Sequence, residues 1–353
     1  MADHASFEEL QAWMFDLYAA KDFAGALEIA ESAARSYPDR TTKTAYWRAC
    51  LLSLMGRPEE AVSSLAQGLA HGAWWAESTL LQEPDLEAAR ALPRMAKVLA
   101  ESGRRWQEAQ ANARLEVFTL DPPDQLIAAH GRDGATEQGV PPLMLAFHWR
   151  GGSGPEFIER FRPAAEDLGF LLASAQSSQL YARGEYCWDD QVKGEAEAVQ
   201  AFVELRASRR FDTGRVVLAG ASQGGRLAIA LSLAGGARES YVPGRVSLPS
   251  RGFIAIVPAV RSAEMFAPCI RSAAERGVRG YIITGERDQF LAETSELQYA
   301  LDNNGVPCRM EVVESMAHTF PKDFPERLTR AVRFVMGQDR PEAEEMGPSS
   351  MPE

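Results

Sequence analysis

The sequence predicts an α/β protein, a mostly parallel β-sheet flanked by helices, preceded by an all-α segment of helical hairpins. Three observations carry this. From about residue 115 to 337, short apolar runs alternate with longer amphipathic ones, as parallel strands with helical crossovers do. Before that, residues 6 to about 114 repeat apolar positions at helical spacing. Within the alternating part, the apolar run Val216–Ala219 leads into Gly220-Ala221-Ser222-Gln223-Gly224-Gly225 and then into the amphipathic run Arg226 to Leu233. That is strand, sharp turn and helix, with one hydroxyl lifted to the carboxyl edge of a sheet.

Composition bounds the rest. The 353 residues suffice for two domains, and 46% hydrophobic residues suffice for full cores. A net charge of −12 with no Lys/Arg-rich block argues against nucleic acid as a partner. No apolar run approaches the ~20 residues that span a bilayer. Met1 to Ala5 lacks a basic segment followed by an apolar one. A cytoplasmic protein with no membrane contact is expected. Cys50, Cys187, Cys269 and Cys308 are scattered without a C-x-x-C pair, so reduced thiols are expected, and neither a metal nor an organic cofactor.

The elements follow in order. Leu10, Trp13, Met14, Leu17 and Tyr18, then Phe23, Ala26, Leu27, Ile29 and Ala30, form a first helical pair that ends at Tyr37-Pro38-Asp39. Tyr46 to Leu54 and Glu60 to Ala70, joined by Gly56-Arg57-Pro58, form a second. A shift of 35 residues places Leu17 on Leu52, Ala26 on Ala61 and Leu27 on Val62. Small residues there let helices approach closely. A third unit, Trp74 to Glu101, is broken by Pro84 and Pro93. Two clear units fall short of the three that normally stand alone, so the segment is expected to lean on the rest of the chain.

Next, residues 115–119 and 125–129 read as a strand pair around Asp121-Pro122-Pro123. Strands are expected at 143–147, 170–173, 215–219, 253–257, 280–284 and 309–313. Helices are expected at 157–168, 192–207, near 290–303 and near 324–336. The expected units are 1–114, all-α; 115–337, α/β; and a disordered polar tail at 338–353.

In an open parallel sheet, function collects at the carboxyl ends of strands. Those ends carry His148-Trp149-Arg150-Gly151-Gly152, Ser222, Gly285-Glu286-Arg287-Asp288 and Glu314-Ser315-Met316-Ala317-His318. Serine, acid and histidine occur in that order, as in α/β-hydrolases. A serine hydroxyl needs a base to take its proton, and the base needs an acid to fix its tautomer. His318 is the expected base, Asp288 the acid and Ser222 the nucleophile. The oxyanion formed on attack needs two donors. The N–H of Gln223 is one, and the turn after 143–147 supplies the other.

The motif Gly220-Ala221-Ser222-Gln223-Gly224-Gly225 resembles the G-x-S-Q-G-G signature of the carboxylesterase, acyl-thioesterase and dienelactone-hydrolase-like branch of the α/β-hydrolases. Thr284-Gly285-Glu286-Arg287-Asp288 is similar to its H-G-x-x-D, with threonine for histidine. Met316-Ala317-His318-Thr319-Phe320-Pro321 is similar to its G-x-H-x-F-P ending, with methionine for glycine. The resemblance covers about 115–337. It implies a Ser222, Asp288, His318 triad and places the second oxyanion donor at the N–H of Arg150, after His148-Trp149 where the branch carries H-G. True dienelactone hydrolases use cysteine where this chain has Ser222. The helical pairs resemble tetratricopeptide repeats, whose period is about 34 residues.

Plainer readings stand beside these. Asp288 is open to being a helix cap, with Glu286 and Glu293 as neighbouring acids. Of the five histidines, His4, His71 and His130 lie away from strand ends, and His148 reads as a brace for the oxyanion turn. His148, Trp149 and Trp188 are substrate-pocket candidates. Trp188 equally reads as packing, and Asp189 or Asp190 as a helix cap. Arg150 suits either a substrate carboxylate or solvent. The Trp74-Trp75 pair reads as a packing anchor.

The expected function is hydrolysis of a small-molecule carboxylic ester or thioester through an acyl-enzyme at Ser222. The alternatives are a serine peptidase and a peptide-binding scaffold with a weak or inactive hydrolase body. The stretch between the strands at 253–257 and 280–284 leaves room for one helix and no large cap. The helical segment is therefore expected either to restrict the pocket mouth or to contact a second copy or a protein partner.

Overall fold

A computed structural model describes residues 5–129, 139–234 and 248–338. His4, His130 and residues 339–353 of the expected tail lie outside them.

The amino-terminal segment is helical throughout. Ser6 opens the helix Phe7–Ala19 with a reciprocal capping box to Glu9, and Asp22 caps Phe23–Ser36. Thr41–Leu54 and Pro58–Ala70 follow, turning at Gly56 with φ 72°. Beyond them lie Glu77–Gln82, Glu87–Arg90 and Met95–Gln110, with Pro84 and Pro93 at the breaks between them. The core runs on small residues, including Ala26, Ala30, Ala49 and Ala61, so the antiparallel helices pack closely. Trp75 is one of its largest fully buried side chains, as an anchor should be.

The remainder is a seven-stranded sheet. The strands are β1 (Glu116–Leu120), β2 (Pro142–Phe147), β3 (Leu171–Gln176), β6 (Asp212–Ala221), β7 (Gly252–Ile256), β8 (Arg279–Gly285) and β9 (Cys308–Val313), with a separate hairpin of β4 (Leu180–Ala182) and β5 (Glu185–Tyr186). Their order is β1-β3-β2-β6-β7-β8-β9. All pairings are parallel except β1 against β3. Leu143, Leu145 and Phe147 enter the core on one face, and Met144 and Ala146 the other, so both faces are covered. Helices Gly154–Glu166, Gln191–Ser208, Gln223–Ala234, Ala267–Glu275, Leu291–Asn303 and Phe324–Val335 cover them.

One expected strand is a helix. Residues Asp124–Ala129 coil, with the Leu126 and Ile127 N–H groups donating to the Pro123 carbonyl at 2.9 and 3.3 Å. Pro123 stops any ladder entering from β1, and Asp124 suits the positive end of a first turn. Four apolar residues, Leu126 to Ala129, do not distinguish the two states.

The helical segment and the sheet are joined by backbone. Trp75 pairs with Ala182 of β4 as an antiparallel bridge: the Ala76 N–H donates to the Tyr181 carbonyl (2.9 Å) and the Arg183 N–H to the Trp74 carbonyl (3.0 Å). The Trp106 indole N–H donates to the Leu180 carbonyl at 2.9 Å. Ala182 is buried in the helical core itself. On its other side, Tyr186 of the same hairpin bridges Gly152. The hairpin thus links the helices to the turn after β2. Among the described residues no helix is long and apolar enough to cross a membrane.

Candidate active site

The turn after β6 is tight enough to need its glycines. A Cβ at Gly220 would lie 2.4 Å from the Gly224 carbonyl oxygen, and one at Gly224 would lie 2.1 Å from that of Phe147. Between them Ser222 is held at φ 52°, a left-handed conformation uncommon for serine. Its N–H donates to the Ile256 carbonyl (2.9 Å), and its carbonyl accepts from the Ala259 N–H (3.0 Å) and the Arg226 N–H (3.0 Å). The strain is thereby fixed on both sides, and the hydroxyl is presented at the sheet rim.

Two further loops converge there. The segments after β8 and β9 are laced together: the Glu286 N–H donates to the Val313 carbonyl and the Arg287 N–H to that of Met316, at 3.0 and 2.9 Å. This brings the His318 Nδ1 to 3.0 Å from Asp288 Oδ1 and its Nε2 to 2.8 Å from Ser222 Oγ. The Asp288 side chain is fully buried, and its carboxylate also accepts from the Thr284 hydroxyl (3.1 Å) and the Phe290 N–H (3.0 Å). Burial pushes the Asp288 carboxyl up. The His318 ring beside it and those two donors outweigh burial and hold it below its ordinary value. Glu286 instead accepts from the Ser315 N–H (2.9 Å) and does not compete for the ring. Thr284, which stands where the resembling motif has histidine, therefore serves the acid directly.

The turn after β2 lies alongside. His148 is fully buried. Its Nδ1–H donates to the Trp149 carbonyl (2.8 Å), and its Nε2 accepts from the Ser177 N–H (3.2 Å). Burial pushes it down to about 4, so it is a neutral brace. The Trp188 indole N–H donates to the His148 carbonyl at 2.8 Å and the ring stacks on the imidazole at 4.8 Å. His148 and Trp188 thus stand behind the turn and do not line the cavity beside Ser222; of the three pocket candidates only Trp149 does. Trp149 is accommodated where the resembling motif has glycine because its ring packs edge-on to Phe157 and Phe320, under the Arg160 guanidinium.

Asp189 gathers the two expected oxyanion residues. It accepts from the Gln223 side-chain amide (2.7 Å) and pairs with Arg150 (3.2 Å). Arg150 is therefore paired with Asp189 while its side chain stays 36% exposed. Asp190, next to it, caps the helix Gln191–Ser208. Gln223 is the first residue of its helix, where an N–H has no intrahelical acceptor. Asp189 was weighed in the sequence only as a cap, since nothing local shows a side chain reaching across to two other loops. Cys187 is buried and its thiol is pushed up to about 12, so it is inert.

Ser222 and His318 open into a cavity of about 360 Å³. Trp149, Arg150, Tyr181 and Glu185 form one side, and residues of the helical segment, among them Met14, Tyr18, Tyr46 and Trp47, form the other. Cys50, Glu83 and Asp85 bring potential metal-ligand atoms within 4.8 Å of one another. The Tyr46 and Tyr18 hydroxyls already donate to the two carboxylates, and burial pushes the Cys50 thiol well up. That set is a poor donor cluster for a metal.

No protein-family model matches the chain, and no curated protein matches it significantly. Among solved structures, an uncharacterized protein from Bacillus cereus ATCC 10987 is similar at 20% identity and a TM-score of 0.50, over 95% of this chain and 100% of that one. Esterase PE8 is similar at 16% identity and 0.46, over 63% and 99%, and the Bacillus cereus carboxylesterase at 17% and 0.44, over 65% and 99%. With a mostly parallel sheet, a strained serine between strand and helix, and helices alone ahead of them, the chain has an α/β-hydrolase fold preceded by an all-α segment.

Proposed function

We propose that the protein is a serine hydrolase of small carboxylic esters or thioesters. The observation that carries this is the unbroken relay Asp288–His318–Ser222, at 3.0 and 2.8 Å. Ser222 Oγ attacks the carbonyl carbon as its proton passes to His318 Nε2, and Asp288 stabilises the imidazolium that results. The oxyanion takes the N–H groups of Gln223 and Arg150. His318 then protonates the leaving group, and water repeats the sequence on the acyl-enzyme.

The units are residues 1–114 and 115–337. We read the first as tetratricopeptide-like hairpins that roof the pocket. A roofed cavity of about 360 Å³ suits a small molecule better than a polypeptide chain. A peptide-binding scaffold gains no support, because the helical core is continuous with Ala182 of the hydrolase body. A fluorophosphonate probe tests the reading. Labelling of the wild type that disappears in Ser222→Ala is expected, and an unlabelled wild type would refute it.

A further inference from the structure

The cavity wall carries three carboxyl groups that this chemistry does not use: Glu83 and Asp85 from the helical segment and Glu185 from β5. The first two are partnered. The Tyr46 hydroxyl donates to Glu83 at 2.7 Å and the Tyr18 hydroxyl to Asp85 at 2.8 Å. Glu185 is not. It is only 7% exposed, yet its carboxyl group makes no hydrogen bond and no ion pair among the described residues. Burial pushes it up to about 7, with Lys43 pulling it down from beyond contact distance. A largely buried acceptor without a direct donor is costly, and Lys43 and Arg40 offset that only at a distance. The carboxyl group lines the cavity, so a donor can reach it from there.

The charges around it select the donor. The wall has two cations, Lys43 and Arg150. Arg150 is committed to Asp189 at 3.2 Å and lies over the Tyr181 ring at 4.8 Å. Lys43 is left facing three carboxyl groups. The rings of Phe15, Tyr18, Tyr46 and Trp47 complete the helical side of the wall, and aromatic faces attract cations. Glu185 is also close to the reaction centre: a Cβ on Gly151, in the turn beside Ser222, would lie 3.3 Å from its Oε2.

We propose that the cavity binds the protonated amine of an organic substrate, an alkylammonium group that donates to Glu185 and lies among the aromatic rings of the helical wall. The esters turned over then carry a cationic amine on the part that enters the cavity. Turnover rests on Ser222 being the nucleophile; the binding does not.

Direct titration of the full chain by calorimetry with n-butylammonium, n-butanol and butyrate, matched in size, tests this without any hydrolysis. The ammonium ion should bind at least about tenfold more tightly than the alcohol, with butyrate weakest. Glu185→Gln, which keeps the shape and removes the charge, should cut that preference to below about threefold. Should that variant fail to fold, Glu83→Gln, which retains an acceptor for Tyr46, should also narrow it. Equal binding of ammonium and alcohol, tighter binding of butyrate, or an unchanged preference in folded Glu185→Gln overturns the proposal. Fluorophosphonate labelling without ammonium preference sinks this proposal alone, and ammonium preference without labelling sinks the hydrolase reading alone.

Discussion

The floor of the cavity and the hairpin beneath its roof treat their carboxyl groups in opposite ways. On the floor, Asp288 is surrounded by donors from three places, Thr284, Phe290 and His318, and cannot turn. On the hairpin beneath the roof, Glu185 is just as secluded and has none among the described residues. A group that must hold one orientation through a reaction is locked by its own neighbours. On the proposal above, a group that recognises a ligand is left short of one partner, which the ligand brings.

The floor can be broken most severely. Asp288→Asn keeps the shape but reverses the tautomer logic at His318, and should lower kcat by about 10⁴-fold while the protein stays folded. Steady-state kinetics on a chromogenic ester, beside a thermal melt, checks both halves. The roof breaks differently. Trp75→Ala removes a fully buried anchor at the joint with β4 and should cost about 3–5 kcal/mol in denaturant unfolding. A loss under about 1 kcal/mol would mean that the helical segment is docked loosely, contrary to the packing described.

Stability against pH sharpens the contrast, because the two carboxyl groups act with opposite sign. Asp288 is depressed in the folded state. Its contribution is fully present above its unfolded value and is lost as pH falls through the lower folded value. Glu185 is raised from an ordinary value of 4.5 to about 7, with Lys43 and Arg40 opposing the rise and Glu156 adding to it. It therefore lowers stability as pH rises through that window. Glu185→Gln should unfold later than wild type at pH 8, by up to about 3 kcal/mol, and equally at pH 4. A constant offset at both would show that charge is not the cause. The smallest effect is expected from Thr284→Val, which removes one donor to Asp288. A loss of about 1 kcal/mol in stability and an upward shift of the acid limb of kcat/KM should follow, where a purely packing role would leave the limb in place.

The floor was legible because its parts are local. Ser222 lies between a strand run and a helix run, and Asp288 and His318 each follow a strand, so alternation and motif alone set them at one sheet edge. The relay distances follow from the lacing of the last two loops, through main-chain bonds that carry no residue signature. The roof was legible only as periodicity. Tyr18, Tyr46, Glu83 and Asp85 show no motif, and their meeting with Glu185 depends on how the helical segment docks. The hairpin at 180–186 that makes the joint was not expected, although Arg183-Gly184, with Gly184 at φ 72°, marks its turn. The helix Asp124–Ala129 is not legible in the sequence because its four apolar residues, Leu126 to Ala129, fit either state, and the preceding prolines lead into a helix and not a hairpin turn.

The central claim is that Ser222 becomes acylated. Rapid mixing with excess p-nitrophenyl butyrate, quenched in acid and followed by intact-protein and peptide mass spectrometry, tests it directly. The account predicts a burst of p-nitrophenol and a butyryl group on the peptide containing Ser222, both absent in Ser222→Ala. Turnover that persists in Ser222→Ala, or an acyl group found on another residue, would contradict it.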